Sequence, residues 1–172
     1  ETVKTVRTGA GGVMASAPPT TNQQLYSDEN PLQQVPFEKK VKLLQEIDAY
    51  ARAKDPKVQQ VMASLTGNWQ AVEILRAGGK LTGDIRPLVR LSVSVVVGDG
   101  DTMESGSYGS GGRFSYEAFL QEHTWQKHVD EAYRQAKILL KAEPAPAGEM
   151  QVVLGSGWPG ILLHEAIGHG LE

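Results

Sequence analysis

Two histidines and a glutamate near the end of the chain have residue types and a spacing that suit metal chemistry. His164, Glu165 and His169 form the pattern H-E-x-x-x-H. Neutral imidazoles are the commonest protein ligands for zinc. A carboxylate beside the first ligand is placed to take a proton from a metal-bound water. The pattern therefore predicts a zinc hydrolase, with His164 and His169 as metal ligands and Glu165 as general base.

The spacing of the two histidines constrains the backbone between them. They lie five residues apart, and on a regular α-helix, at about 100° per residue, five steps separate two side chains by roughly 140°. A π-type turn would bring the pair together, and so would a helix that ends near Gly168. Gly168 and Gly170 permit either backbone. We therefore expect a helix distortion or a helix end at Gly168.

The residues before the motif indicate a strand, a turn and a buried helix. Residues 151–154 are typical of a short buried strand, and Ser156 or Gly157 is a candidate helix cap. Pro159 suits a first helical turn. Three apolar residues, 161–163, would bury this helix and turn the histidines inward, where a metal would satisfy them. The alternative is two unrelated histidines on an amphipathic segment, because a short motif carries false positives.

Four segments resemble the TldD branch of the TldD/PmbA metalloprotease family. They are VVLGSGWPGILLHEAIGHGLE at 152–172, VMASLTG at 61–67, DIRPLVRLSVSVVV at 84–97 and GSGGRFSYEAF at 109–119. The similarity runs from about Gln33 to Glu172, with the segments in the family's order. The H-E-x-x-x-H stretch is specific, because the non-catalytic PmbA/TldE branch is expected to lack it.

The resemblance implies a soluble zinc peptidase that acts on unstructured peptides, either maturing peptide precursors or degrading an unfolded antitoxin. It implies that His164 and His169 are zinc ligands and that Glu165 is the general base. The family's third ligand is a cysteine far downstream. The resemblance also implies pairing with a PmbA/TldE-like homologous subunit as a heterodimer, or a homodimer. An older family label is modulator of DNA gyrase.

The chain departs from the family by having no cysteine and by ending at Glu172. We therefore interpret it as a piece of a longer protein, lacking most of the catalytic domain and the strands of the family's first domain. The piece alone is expected to be inactive. Glu172 lies three residues beyond His169, where it would be either a partner of the metal site or a surface carboxylate.

Composition excludes several classes of function. The net charge of −3 comes with no basic block, so the 172 residues predict no nucleic-acid partner. No apolar run approaches the ~18 residues of a membrane span. The chain has no cysteine, so it contains no disulfide that would indicate secretion. We expect a cytoplasmic protein. A non-catalytic binding or regulatory subunit stays open, as does an indirect effect on DNA topology enzymes.

Hydrophobic periodicity predicts an α+β fold, an antiparallel β-meander sheet flanked by helices, followed by the start of the metalloprotease domain. Helices are expected at 37–54 and at 116–141, the second with a possible break near His123. Four strands are expected at 58–65, 69–76, 80–86 and 88–97. Hairpin turns are expected at 66–68, around Gly67, and at 78–79, and a further turn is expected at 99–101. Alternation of apolar and polar residues along 88–97 predicts a sheet with one buried face. The predicted organisation is an irregular Gly/Pro-rich segment at 1–35, an α+β domain at 36–142, a linker at 143–148 and the catalytic domain from 149 to 172.

Two smaller features have competing interpretations. The Gly- and Ser-rich stretch from Ser105 to Arg113 is typical of a mobile hairpin tip, and the alternative is a flexible wall of a substrate cleft. Arg113 would then hold a substrate carboxylate, unless it forms a structural ion pair. His123 and His128 repeat the five-residue spacing, but their polar neighbours favour a solvated surface over a metal site.

Overall fold

The computed structural model describes residues 25–171, and the chain divides into two compact units between Ala142 and Glu143. The described part of the first unit begins with two helices, α1 (Pro31–Gln34) and α2 (Phe37–Lys54). Three strands follow, β1 (Val58–Leu75), β2 (Leu81–Asp99) and β3 (Thr102–Gly112), and then two helices, α3 (Glu117–Leu120) and α4 (Glu122–Leu139). The second unit contains α5 (Pro159–Ile167) and a 3₁₀ turn (Gly168–Gly170). Most of the segment predicted to be irregular, 1–24, lies outside the described residues.

The three strands form one antiparallel meander in the order β1-β2-β3, which confirms the α+β prediction. One face of β2 is buried, at alternate residues, as its sequence pattern predicted. That face packs against α2 and α4, and five branched aliphatic side chains of β2 form its centre: Val89, Leu91, Val93, Val95 and Val97. The helices contribute Leu43, Ile47 and Ala51 from α2, and Trp125, Val129, Ala132 and Ala136 from α4.

The prediction of four strands was wrong, because two expected interruptions lie inside long strands. Gly67 pairs with Val89 in the middle of β1. A Cβ at Gly67 would lie 2.0 Å from the Tyr116 hydroxyl, so the glycine is a packing site and not a turn. Pro87 pairs with Trp69, beyond the end of the β2–β3 pairing at Val89, so its missing N–H interrupts no bond to β3.

The expected hairpin turn at Gly78-Gly79 and the expected turn at Asp99-Gly100-Asp101 are confirmed. Gly78 and Gly79 have φ angles of 91° and 82°, and they join β1 to β2. Gly100 has a φ of 61° between β2 and β3. Each position favours glycine, because side chains with a Cβ rarely adopt positive φ.

The stretch from Ser105 to Arg113 is not a mobile hairpin tip, because its residues through Gly112 belong to β3 and pair with β2. The glycines of this strand have a packing role. A Cβ at Gly106 would lie 2.1 Å from the Ala132 carbonyl oxygen and 2.5 Å from the Ala136 nitrogen. Gly106 therefore allows the backbone of α4 to approach β3 closely.

The predicted break in the second long helix is confirmed at Gln121, which has an extended backbone between α3 and α4. The prediction of a solvated His128 was wrong, since its exposed fraction is 2%. Its Nδ1 lies 2.8 Å from the Thr124 carbonyl oxygen, which can only accept, so Nδ1 carries the proton. Its Nε2 therefore accepts from the Ser110 hydroxyl at 2.8 Å. These two hydrogen bonds satisfy both nitrogens of a buried ring that the sequence analysis predicted to be exposed to solvent.

In the described part of the chain, no helix has both the length and the apolarity needed to cross a lipid bilayer.

Candidate metal centre

The motif histidines are carried by α5 and by the 3₁₀ turn that follows it. Pro159 occupies the first turn of α5, as predicted, where its fixed φ suits a helix start. Neither Ser156 nor Gly157 caps the helix as expected, because the N-cap position falls on Trp158, which makes no side-chain cap bond. His164 and Glu165 lie in the last turn of this helix.

The helix ends where the spacing of the histidines required it to end. Regular α-helix stops at Ile167, whose φ of −127° departs from helical values, and Gly168 opens the 3₁₀ turn that carries His169. The Gly168 N–H still donates to the His164 carbonyl oxygen. This change of helix type confirms the predicted helix end and removes the roughly 140° separation that a regular α-helix would impose.

The change of backbone brings the three motif side chains together. The imidazole rings of His164 and His169 have centroids 4.5 Å apart, with their planes inclined at 58°. His169 Nε2 lies 3.3 Å from Glu165 Oε2. One potential ligand atom from each of the three residues lies within 4.8 Å of the others. The structure therefore groups the three residues that the sequence singled out.

Gly168 makes room for the first histidine. A Cβ at Gly168 would lie 2.9 Å from His164 Nδ1, closer than side-chain carbons approach a ring nitrogen. A Cβ at Gly170 would meet no atom within 4 Å. Sequence reasoning assigned both glycines to backbone freedom alone and missed this steric role. The available signal was the spacing, since a residue four positions after a helical histidine faces the same side of the helix.

The expectation that this motif is buried was wrong for the described structure. His164, Glu165 and His169 are all exposed, and residues 151–154 form no strand. Leu162 is 57% exposed and Leu163 is 58% exposed, so α5 does not bury its apolar residues. The physical reason is the size of the second unit, in which the described residues offer no element besides α5 and the 3₁₀ turn to cover them.

The donor set fits a zinc ion. Two imidazole nitrogens and a carboxylate oxygen are common zinc ligands, with bonds of about 2.0–2.2 Å. The three potential donor atoms already lie within 4.8 Å of one another. Catalytic zinc sites keep three protein ligands and one open position. His164 and His169 would supply two of these ligands to a bound ion, and Glu165 is close enough to act either as a ligand or as a base.

Two other residues named from the sequence have different outcomes. Glu172 lies outside the described residues. Arg113 donates from Nη1 to the Pro87 carbonyl oxygen at 3.3 Å, and its guanidinium lies 5.2 Å from the ring centroid of Tyr26. The two contacts join the residue after β3 to a carbonyl of β2 and to the ring of Tyr26, and among the described residues Arg113 forms no ion pair.

Comparison with known protein families assigns most of the first unit to a family of domains. Residues 30–140 match the family model described as the PmbA/TldA metallopeptidase central domain. This match covers well over half of the chain and includes α1 to α4 with the whole sheet.

Curated relatives give the same assignment. The chain is 50% identical over 151 residues to a protein named metalloprotease TldD homolog from Haemophilus influenzae, covering 86% of this chain and 31% of the relative. It is 42% identical over 163 residues to a protein of the same name from Buchnera aphidicola, covering 90% of this chain and 34% of that relative. A metalloprotease of Methanocaldococcus jannaschii is 26% identical over 152 residues, covering 88% and 32% of the two chains.

The chain spans about a third of the length of these curated relatives. Their names indicate a metal ion but do not identify it. The family-model match and the fold agree with the resemblance that the sequence segments carried. The chain belongs to the PmbA/TldD metallopeptidase family.

Proposed function

We propose that this chain is part of a zinc-dependent peptidase that hydrolyses unstructured peptides. The observation that carries the proposal is the grouping of His164, Glu165 and His169 around one point, with their ligand atoms within 4.8 Å of one another. Membership of a metallopeptidase family supports the reaction class. The alternative of a structural metal site accounts less well for Glu165, because such a site has no need of a base.

Each motif residue has a distinct role in this proposal. His164 and His169 hold the ion through their ring nitrogens. Zinc in such a site supplies Lewis acidity toward water and toward an amide carbonyl. Glu165 accepts a proton from the attacking water and later returns it to the departing amine, which is the usual work of a general base beside a metal ligand. Its carboxylate already lies 3.3 Å from His169 Nε2, within the group of potential ligands.

The proposed substrates are peptides without folded structure, serving precursor maturation or degradation. An amide bond inside a folded domain is held in hydrogen-bonded secondary structure, so it reaches a metal centre poorly. We further propose that the whole protein pairs with a PmbA/TldE-like homologous subunit, or with itself, and works in the cytoplasm. The acidic balance of the chain, −3 overall, agrees with a partner other than nucleic acid.

The test is cleavage of an unstructured peptide by the full-length parent protein with its homologous partner, in the wild type and in Glu165→Gln. Glutamine keeps the size of the side chain but accepts no proton at neutral pH. Zinc content is measured on the same samples. We expect both proteins to bind zinc and only the wild type to cleave, with a loss of at least about 100-fold in the variant.

Two results would overturn the assignment. Equal cleavage by wild type and Glu165→Gln would remove Glu165 from the reaction. Zinc binding without cleavage by either protein would favour a binding or regulatory subunit.

A further inference from the structure

The face of the sheet that points away from the helices carries an arginine in an unusual setting. Arg90 lies on β2 between the buried residues Val89 and Leu91, so its own side chain points to the opposite, exposed face. Across the strands Arg90 pairs with Thr66 on β1 and with Gly111 on β3. The guanidinium is thus placed over the middle of a three-stranded surface.

The position of this guanidinium is fixed by two neighbours. Arg90 Nε donates to the Ser92 hydroxyl oxygen at 3.0 Å. A Cβ at Gly109 would lie 2.7 Å from Arg90 Nη2 and 2.9 Å from Ser92 Oγ. The arginine therefore lies across the strand over Gly109, in space that a glycine leaves open. An arginine held in this way loses less conformational freedom when its remaining N–H groups bind a ligand.

Arg90 differs from the paired arginines of the same unit. Arg52, Arg86 and Arg134 each form an ion pair with a carboxylate. Over residues 25–171, Arg90 takes part in no ion pair. Its outer N–H groups are therefore available for the two parallel hydrogen bonds that a carboxylate accepts.

Hydroxyl groups line the groove in which the guanidinium lies. The groove has a volume of about 370 Å³, and hydroxyls reach it from all three strands: Ser64 on β1, Ser92 and Ser94 on β2, and Ser107 on β3. Met62 forms an apolar side. Ser64 and Ser107 add hydroxyl groups to the same groove, and Arg90 is the charged residue among those that line it. A fixed cation among hydroxyl donors is the chemistry that recognises an oxyanion.

We propose that this groove, hereafter the Arg90 groove, binds the carboxylate of a peptide. The proposal rests on the proposed peptidase function for the nature of its ligand, and it assigns a recognition role to the central domain. The carboxylate belongs either to the C-terminus of the peptide or to an acidic side chain.

The test measures binding to the 172-residue chain by fluorescence anisotropy, without added metal, so that it does not depend on cleavage. Three N-terminally labelled versions of one short, unstructured, otherwise uncharged peptide are compared. The first has a free C-terminal carboxylate, the second is amidated, and the third is amidated with one internal glutamate. Each is measured on the wild type, on Arg90→Gln, on Gly109→Ala and on Arg76→Gln.

Arg76→Gln is the matched control, since it removes the same charge from an exposed residue beside the β1–β2 turn. We expect Arg90→Gln to weaken binding of the carboxylate peptides about 10- to 100-fold, the range for hydrogen bonds to charged groups. Gly109→Ala keeps the charge but displaces the guanidinium, so it should weaken binding in the same direction. Arg76→Gln should bind as the wild type does.

Each outcome decides the proposal. Tight binding of the free-carboxylate peptide alone identifies the C-terminus as the ligand, and tight binding of the glutamate peptide identifies an acidic side chain. Equal affinity for all three peptides would overturn the proposal. So would equal weakening by Arg90→Gln and Arg76→Gln, because that would show a general effect of charge. None of these results bears on the role of Glu165, which the cleavage experiment tests separately.

Discussion

The imidazole of His164 lies over Gly168, with Nδ1 2.9 Å from the place where a Cβ of that residue would be. The glycine ends α5 and also clears the space that the ring occupies. The backbone requirement and the steric requirement of the motif are thus met by one residue. A substitution at Gly168 should therefore change the metal affinity although Gly168 is not itself a proposed ligand.

Gly168→Ala in the parent protein should weaken zinc binding by about tenfold, the lower end of the range for changes that misplace a ligand. The added methyl group must push the His164 ring away from its present position. Gly170→Ala is the matched control, because a Cβ there meets nothing within 4 Å. Competition with a zinc chelator measures both. Equal affinity of the two variants would show that the His164 ring does not need its present orientation.

Gly106→Ala should destabilise the first unit by about 2 kcal/mol, because a methyl group would force α4 away from β3. A Cβ at Gly106 would lie 2.1 Å from the Ala132 carbonyl oxygen and 2.5 Å from the Ala136 nitrogen. Ser105→Ala, at an exposed neighbouring position, should change the free energy of unfolding by less than about 0.5 kcal/mol. Urea unfolding followed by tryptophan fluorescence measures both variants. Similar midpoints would contradict the close approach of α4 to β3.

His128 should make the stability of this unit depend on pH. Burial lowers the pKa of His128 below its usual 6.5, and the positive charges of Lys127 and Arg90 lower it further, against the hydrogen bond to the Thr124 carbonyl. The folded state therefore disfavours the charged ring. Its contribution to stability is complete above the unfolded pKa and is lost as pH falls through 6.5 toward the lower folded pKa.

Urea midpoints at pH 7.5 and pH 5.5 measure this dependence. The wild type should lose stability between the two values, and His128→Gln should lose less. Carboxyl groups with a lowered pKa change the stability only at lower pH. The pKa of Glu131, for example, is lowered to about 2 by its hydrogen bonds with Arg134 and Gln135. An equal loss in the variant would assign the pH dependence to another group.

Ser110→Ala should destabilise the first unit by about 1–2 kcal/mol, because His128 Nε2 would lose the partner that donates to it at 2.8 Å. The double variant Ser110→Ala/His128→Gln should show clear non-additivity, since the two residues share one hydrogen bond. Thermal unfolding of the four proteins gives the coupling energy. Additive effects would show that the hydrogen bond contributes nothing to stability.

Much of the fold was predictable because its signals are local. Alternation along β2 identified its buried face, since Val89, Leu91 and their even-spaced neighbours share one side of a strand. The period of α2 and the break before α4 were also visible in the sequence.

The errors in the strand predictions came from glycines that are required by contacts with residues far away in the sequence. Gly67 was interpreted as a turn because its partner Tyr116 is 49 positions away along the chain, from residue 67 to residue 116. Gly106 similarly packs against the backbone of α4, where a Cβ would not fit. Local propensity assigns such glycines to loops, whereas here they permit close packing within a strand. His128 escaped prediction for the same reason, since its burial depends on Ser110 from β3.

The candidate site was predictable in its residues and in its helix end, because both follow from the spacing of His164 and His169. Its surroundings were not, because the burial of Leu162 and Leu163 depends on what packs against α5 rather than on their own apolar character. The Arg90 groove was also missed, since it assembles residues from three strands.

The central claim is that His164 and His169 share one metal ion, and zinc content measures it most directly. Full-length wild type, His164→Ala, His169→Ala and the double variant are loaded with zinc and dialysed, and the bound zinc is counted per chain. We predict one zinc in the wild type, with each single variant losing it as fully as the double variant. Retention of zinc by both single variants would contradict a shared site.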